Sequence, residues 1–293
     1  MTKIAVVFNP YRRGFSFWYQ YLLLKQGLEA HGFDVVLFDT FVSRVKDFDV
    51  LLWWVPFRTP EFEDWNIYTK RFTKLQLFYN PLDTDSVSQF VIYRVKKFAD
   101  AIITHSPENE TIWRETKKDV ILMDFAVSLE DIPEDCELND DLYFVETRTF
   151  PIRRGTDIAL SYDLKYHTVN KFFNSHKEFL REMCKAGNFI IPARGGEYEI
   201  LALEALAMGM KVYYPERTAF SYIKDLPPTF PVRGKFCETE FRNDPYQTGC
   251  YYNVVRVKEL PELKRPNAEY YKKSFTPEQI TKPLVHYLEG VKL

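Results

Sequence analysis

Residues 188–216, NFIIPARGGEYEILALEALAMGMKVYYPE, combine a buried-strand pattern, a glycine turn, an apolar helix and a second strand. This order is typical of one βαβ unit. Gly195 and Gly196 fall where the strand gives way to the helix, and their backbone can approach a ligand closely because they lack a side chain. The first N–H groups of a helix favour an anion. The turn is therefore a candidate anion site, with a plain tight turn as the alternative.

Glu204 is the acidic residue of this otherwise apolar helix. Burying a carboxylate without a partner costs on the order of several kcal/mol. Two explanations satisfy this constraint. Either Glu204 pairs with another group of the protein, or it faces a cleft in which the hydroxyl groups of a ligand donate hydrogen bonds to it.

The composition is that of a globular protein of about two domains, since 46% of the 293 residues are hydrophobic. A formal net charge of -2 and a pI near 6.3 give no broad basic field, which argues against nucleic acid as a partner. The four cysteines form no CxxC pair, the first residues have a strand pattern rather than that of a signal peptide, and no apolar run reaches the roughly 18 residues of a membrane span. We therefore expect a cytoplasmic protein with reduced cysteines.

Strand and helix patterns alternate along most of the chain, which predicts an α/β fold with parallel, doubly wound sheets. Strands are predicted at residues 3–9, 35–38, 49–55, 74–79, 101–104, 120–124, 142–146 and 168–172, and helices at residues 87–98, 107–115, 155–163, 176–186 and 277–289. Residues 227–249 have a loop-like pattern. The expectation is two Rossmann-like domains, residues 1–136 and 137–276, facing a central cleft that binds the ligand, with a C-terminal helix of residues 277–293 packing back on the first domain.

Three phrases of the second domain bear on function: Arg154-Gly155-Thr156-Asp157, the Gly-Gly-Glu turn, and Glu204-Ala205-Leu206-Ala207-Met208-Gly209. Together with the order of elements, they resemble a GT-B glycosyltransferase of the retaining, family 4-like group (glycosyl transferases group 1). In that group an Arg and a Lys hold the diphosphate of a nucleotide sugar, and the matching residues here are Arg148 and Arg154. An Arg in place of the Lys keeps the charge and changes the geometry. A solvated pair of arginines is the alternative.

The resemblance also assigns the ribose of the donor to Glu204, and the sequence departs from the group near this residue. The group has two glutamates eight residues apart, the first of which contacts the donor sugar, but the residue eight before Glu204 is Gly196. Glu197 is therefore the candidate for the sugar contact. Many relatives also have a His after the fourth strand, where this chain has Asn80. Asn80 can donate a hydrogen bond to the sugar but cannot replace an imidazole.

The reaction implied by the resemblance is transfer of a sugar from a nucleoside diphosphate to an acceptor, with retention at the anomeric carbon. In that group cationic side chains and helix amides stabilise the leaving diphosphate, so neither a metal ion nor a cofactor is expected. Asp83 and Asp85 have the spacing of a metal-binding pair, although aspartates in a turn are more often helix caps. The acceptor could be a glycan, a lipid or a protein, and it is expected to bind near residues 11–14. Gly14 is predicted to be one of the binding residues.

A basic and aromatic set of residues in the first domain is a candidate peripheral contact with an anionic membrane. The set comprises Lys70, Arg71, Phe72, Lys74, Lys96, Lys97 and Phe98. Core packing is expected for Trp53, and helix capping for His105 and Ser106.

Other functions remain open alongside glycosyl transfer. A non-catalytic protein of the same fold would bind a nucleotide or sugar without transferring it, and the shifted glutamate and the missing His keep that possibility open. A nucleotide-sugar epimerase or a phosphorylase would also use two facing Rossmann-like domains. An epimerase would form product without an acceptor, and a pyridoxal-type phosphorylase would need a Schiff-base lysine, for which the sequence has no clear candidate.

Overall fold

The computed structural model describes residues 2–8, 16–38, 45–54, 69–79, 89–147, 151–169, 173–195, 199–236 and 250–291. Within these ranges the chain divides into two units. The first unit comprises the described residues up to Ala126 and those from Thr276 onward, and the second comprises the described residues from Val127 to Phe275. Each unit is built around its own sheet of parallel strands.

Strands and helices alternate in both units. The strands are β1 Lys3–Phe8, β2 Asp34–Phe38, β3 Val50–Trp54, β4 Leu75–Tyr79, β5 Ala101–Thr104, β6 Asp119–Leu122, β7 Asn139–Val145, β8 Lys165–Thr168, β9 Ala186–Ile190, β10 Lys211–Tyr213, β11 Val232–Phe236 and β12 Tyr251–Val254. The helices are α1 Ser16–Ala30, α2 Gln89–Phe98, α3 Pro107–Arg114, α4 Pro151–Arg154, α5 Thr156–Ala159, α6 His176–Met183, α7 Ile200–Ala207, α8 Ala268–Ser274 and α9 Pro277–Gly290.

The sheet of the first unit has the strand order β2-β1-β3-β4-β5-β6, and its strands are parallel. Ile4 of β1 pairs with Val35 of β2 on one side and with Val50 of β3 on the other. The chain therefore winds outward in both directions from β1, as in a doubly wound fold. The runs of Val, Ile and Leu in these strands suit a sheet that is covered on both faces. This confirms the predicted α/β class.

The core of the first unit contains Trp53, as predicted, and also Phe98, whose predicted place on an exposed basic and aromatic surface is wrong. Phe98 ends α2 and packs inward because apolar side chains at helical spacing share the buried face.

The side chain of Ser106 accepts from the Asn109 N–H at 3.2 Å, which confirms the predicted cap of α3. His105, which was also predicted to cap this helix, is instead a buried residue whose ring stacks on Phe125. Burial lowers the pKa of His105 to about 3, although its hydrogen bond with the Met123 carbonyl oxygen acts to raise this pKa.

The sheet of the second unit has the order β10-β9-β7-β8 and is also parallel. Strand β8 occupies Lys165–Thr168, whereas the sequence pattern placed a strand at residues 168–172. The prediction missed residues 165–167 because β8 is an edge strand whose four side chains are exposed or half-buried, so it lacks the apolar run of a central strand. Residues 170–172 lie outside the described residues. The helix predicted at residues 155–163 is shorter, and the structure has α5 at Thr156–Ala159.

Strand β11 lies within residues 227–249, where a loop was predicted, and pairs with β12 in antiparallel orientation. The side chains of β11 are exposed or half-buried, and Gly234 has a φ of +74°, so this strand has neither an apolar run nor strict alternation. Pattern reasoning therefore missed it.

The C-terminal helix α9 packs against α1 in the first unit. Gly27 of α1 makes this close approach possible, because a Cβ atom there would overlap with the Pro277 carbonyl oxygen and lie 2.7 Å from Thr281 Cγ2. His31, just after α1, is hydrogen-bonded to the Glu278 carbonyl oxygen at 2.9 Å and joins the same two helices.

Two properties of the chain bear on its environment. Among the described residues, no helix is both long and apolar enough to cross a bilayer. Cys136 and Cys184 are free thiols, whereas Cys250 is disulfide-bonded, which differs from the expectation that all four cysteines are reduced.

Replacing Gly27 by Ala is expected to destabilise the first unit by about 1–3 kcal/mol, the usual cost of overpacking. Chemical denaturation of the full-length variant measures this loss as a lower free energy of unfolding. Gly290→Ala is the matched control in α9, because a Cβ atom at Gly290 meets no atom within 4 Å. Equal stability of the two variants would contradict the packing of α1 against α9.

Candidate functional site

The candidate site lies at the carboxyl ends of β7 and β9 in the second unit. These two strands are parallel neighbours, and the chain crosses from β7 to β8 on one side and reaches β9 on the other. Such a reversal of strand order leaves a crevice at the carboxyl ends of the strands, and ligands of open α/β sheets bind there. Glu146 follows β7 directly, and residues 191–195 follow β9.

The turn around Gly155 packs against the residues that follow β9. The backbone N–H groups of Arg194 and Gly195 both donate to the Arg153 carbonyl oxygen, at 2.6 and 3.2 Å. Gly155 has a φ of +67°, and a Cβ atom there would overlap with the Pro192 carbonyl oxygen. Glycine is therefore required at this position for both conformation and space. The Gly195 N–H is thus engaged by the protein, and the role of Gly195 in ligand binding stays a prediction.

Arg154 lies between two buried carboxylates. Its Nε lies 3.1 Å from Glu146 Oε2, and its Nη1 lies 3.6 Å from Glu199 Oε2. Glu146 and Glu199 are each 5% exposed, and Arg154 contributes to the compensation of both buried anions. Glu199 is the N-cap residue of α7, and its side chain does not cap the helix, which leaves the carboxylate to Arg154. The ion pairs hold the guanidinium at the carboxyl edge of the β7–β9 pair.

Glu204 is 1% exposed, and His176 is its protein partner. His176 Nε2 lies 2.6 Å from Glu204 Oε1. The other carboxylate oxygen, Oε2, is buried, and no donor within the described part of the chain reaches it. Burial alone would lower the pKa of His176, but the charge and hydrogen bond of Glu204, with the charge of Asp131, outweigh burial and raise this pKa. One oxygen of Glu204 thus has a protein partner, and the other has no donor among the described residues.

The β11–β12 pair forms the flank of this site. The Tyr252 N–H donates to the Arg194 carbonyl oxygen at 2.8 Å, which joins β12 to the glycine turn. The Arg194 guanidinium forms two hydrogen bonds of 2.7 Å with the Asp157 carboxylate and lies 5.6 Å from the centre of the Phe236 ring. Arg217 donates to the Ala193 carbonyl oxygen at 3.1 Å and lies over the Tyr252 ring. These contacts hold the backbone at Ala193 and Arg194.

Of the residues predicted to form the site, the structure describes Arg154, Gly195 and Glu204, and all three belong to the second unit. The remaining ones lie outside the described residues and stay predictions: Gly14, Asn80, Arg148, Gly196 and Glu197. The same holds for the pair Asp83 and Asp85. Within the described ranges, no group of three or more His, Cys, Asp or Glu side chains is arranged as metal ligands.

Sequence reasoning missed three charged or titratable residues of this site: Glu146, His176 and Glu199. His176 had a detectable local signal, because Asn174-Ser175 precedes it and Glu178 follows Ser175 by three residues, which is a capping box. The side chain of Ser175 accepts from the Glu178 N–H at 3.2 Å, as that pattern predicts. The signal locates the start of α6 but not the contact with Glu204, which lies 28 residues further along the chain.

Solved structures match the fold of this chain, whereas no protein-family model and no curated protein sequence matches it. Sucrose-phosphate synthase from Thermosynechococcus elongatus matches with a TM-score of 0.53 and 13% identity, over 76% of this chain and 83% of that chain. Anabaena Alr3699/HepE in complex with UDP-glucose matches with a TM-score of 0.56 and 9% identity, over 99% of this chain and 100% of that chain.

An α-glucosyltransferase in complex with UDP matches with a TM-score of 0.52 and 13% identity, over 74% of this chain and 81% of that chain. These similar structures are glycosyltransferases of the GT-B fold, and the present chain has that fold. Identities this low show the fold alone, and proteins that share a fold differ in function.

The His176–Glu204 pair is expected to make stability depend on pH. Because the pKa of His176 is raised in the folded protein, its contribution is fully present below the unfolded-state pKa of about 6.5 and is lost as pH rises through the folded-state pKa. The difference in free energy of unfolding between wild type and His176→Gln should therefore shrink as pH rises from about 6 to about 9. Denaturant titrations at several pH values measure it.

The control for this prediction is the same His176→Gln substitution in a Glu204→Gln background. Without the carboxylate, the largest contribution that raises the pKa is gone, so the pH-dependent difference should be much smaller. An equal pH dependence in both backgrounds would show that Glu204 does not stabilise the charged imidazole.

Proposed function

We propose that this protein is a glycosyltransferase of the retaining, family 4-like group, which transfers a sugar from a nucleoside-diphosphate sugar to an acceptor without a metal ion. The observation that carries the proposal is the buried Glu204 carboxylate, whose Oε2 has no donor within the described residues. A hydroxyl group of a ligand would supply that donor at the edge of a sheet where ligands of this fold class bind. The ribose of a nucleotide offers two such hydroxyl groups.

The donor is proposed to be a nucleoside-diphosphate sugar, with UDP as the first nucleotide to test. Two similar structures are described as complexes with UDP-glucose and with UDP. Arg154 is a permanent cation at the same strand edge, and its two ion pairs use Nε and Nη1. Nη2 takes part in neither ion pair, so the fixed guanidinium can present it to a phosphate oxygen.

In the proposed reaction the bond between the anomeric carbon and the diphosphate oxygen breaks, and its electron pair leaves with the diphosphate. The acceptor hydroxyl oxygen bonds to the anomeric carbon on the same face, and its proton passes to a phosphate oxygen. Arg154, and Arg148 by the family resemblance, would stabilise the charge that develops on the diphosphate. Glu197 remains the proposed sugar contact, and Glu199 is a second carboxylate of the same turn, close to Arg154.

A second candidate function is binding of a nucleotide or sugar without transfer. The ion pairs of Arg154 favour this alternative, because its guanidinium already pairs with the carboxylates of Glu146 and Glu199. A cation compensated in this way attracts a leaving diphosphate less strongly than a free one. Measured turnover decides between the two functions.

Binding of a nucleoside diphosphate is the first expected result. UDP, GDP, ADP and their glucose derivatives are tested by thermal shift and titration calorimetry on the full-length protein, and at least one should bind. Nucleotide should also be released from the sugar donor, and chromatography measures this release. Binding without release would support the non-catalytic alternative, and no binding by any of the six compounds would contradict both the transferase and a nucleotide-binding protein.

Substituting Arg154 by Gln is expected to weaken binding of the nucleoside diphosphate by roughly 10- to 100-fold, the equivalent of one hydrogen bond to a charged group. Binding of the nucleoside without phosphates should change little. Arg265→Gln is the matched control, because Arg265 bonds to Asp140 and to the Gly187 carbonyl oxygen at the amino-terminal ends of the same two strands. Equal effects of the two substitutions would mean that Arg154 does not contact the phosphates.

A further inference from the structure

We propose that His176 is a positioning residue for the donor nucleotide. By holding Oε1 of Glu204, it directs Oε2 at a ribose hydroxyl group and makes the site selective for ribonucleotides over nucleotides that lack these hydroxyl groups. This inference rests on the proposed function, since it requires a nucleotide at the β7–β9 edge. His176 lies outside the three sequence phrases on which the family resemblance rests.

The directions of two helices bring these side chains to the carboxyl edge of the sheet. Helix α6 follows β8 and α7 follows β9, so both helices begin at the carboxyl ends of parallel strands. His176 is the first residue of α6, and Glu204 is the fifth residue of α7. Side chains on a helix incline toward its N-terminus, so the Glu204 carboxylate is carried toward the same edge. Its 2.6 Å contact with His176 agrees with that direction.

Several contacts fix the imidazole before any ligand binds. Ser175 caps α6 through the Glu178 N–H, which sets the backbone at His176. The His176 ring packs on Phe179 with ring centroids 6.0 Å apart. The charges of Glu204, on α7, and of Asp131 act on the imidazole. The Lys177 ammonium group donates to the Glu130 carbonyl oxygen at 2.8 Å, so the start of α6 is held against the segment that carries Asp131. The ring therefore offers Nε2 to Glu204 in one orientation.

The effect on Glu204 is a division of roles between its two oxygens. Oε1 accepts from His176, which restricts rotation of the carboxylate. Oε2 remains buried and without a donor among the described residues, although buried acceptors are nearly always hydrogen-bonded. A carboxylate restricted in this way loses little freedom when a hydroxyl group binds, so the hydroxyl contributes more to affinity and selectivity.

A purely structural ion pair is the competing explanation, and it predicts a different pattern of affinities. If His176 only stabilises the fold, its removal should weaken binding of every nucleotide equally. If it directs Oε2, its removal should weaken only nucleotides with ribose hydroxyl groups. The ratio of affinities for a nucleotide and its dideoxy analogue therefore separates the two explanations.

The experiment titrates full-length protein with UDP and with 2′,3′-dideoxy-UDP, or with the GDP or ADP pair if that nucleotide binds more tightly. Wild type should prefer the ribonucleotide by roughly 10- to 100-fold, as for hydrogen bonds to a charged group. The preference should fall toward one in His176→Ala, with the affinity for the dideoxy analogue nearly unchanged. His176→Gln should keep part of the preference, because its amide N–H can replace the imidazole Nε2–H.

The matched control is His167→Gln. His167 also contacts a glutamate, with Nε2 2.9 Å from the Glu182 carbonyl oxygen and 3.4 Å from Glu182 Oε1, and this substitution should retain the wild-type preference.

A wild-type preference in His176→Ala, or equal losses for both nucleotides, would overturn the positioning role while leaving the proposed function intact. If His176→Ala does not fold, a wild-type preference in both His176→Gln and Glu204→Gln overturns the role instead. Absence of any nucleotide binding by wild type would overturn both proposals.

Discussion

The parallel pairing of β7 with β9 is the constraint on which the candidate site depends. It brings together two chain segments that are about 45 residues apart and aligns their carboxyl ends. Glu146 leaves one strand, and residues 191–195 leave the other, so the two segments share one edge. The Arg153 carbonyl oxygen then accepts from two N–H groups across that edge. Because Gly155 lies against Pro192, this arrangement tolerates no side chain at residue 155.

Buried charge is the second organising factor, and it distinguishes two parts of the site. Around Arg154, two carboxylates surround one guanidinium, and each ion has a partner. Around Glu204, the imidazole of His176 compensates one oxygen and leaves the other without a donor in the described part of the chain. A buried ion pair seldom adds much stability by itself. In the proposed function, the pair holds the Glu204 carboxylate in place for the nucleotide.

The sequence predicted the α/β architecture and most central strands because their apolar runs are the signal of buried parallel sheets. It failed for β8 and β11, whose exposed positions carry polar residues. It also identified Glu204 as a carboxylate in need of a partner, because an acid within an apolar helix is recognisable without a structure. The identity of that partner could not be predicted, since His176 and Glu204 are 28 residues apart in the chain and meet only in the folded structure. The ion pairs of Glu146 and Glu199 with Arg154 depend on packing in the same way.

The most direct test of the account is a crystal structure of the full-length protein with the nucleoside diphosphate that binds it most tightly. The account predicts the diphosphate beside Arg154 at the carboxyl ends of β7 and β9, and a ribose hydroxyl group donating to Glu204 Oε2. A nucleotide bound away from these strand ends, or one whose ribose does not contact Glu204, would contradict it.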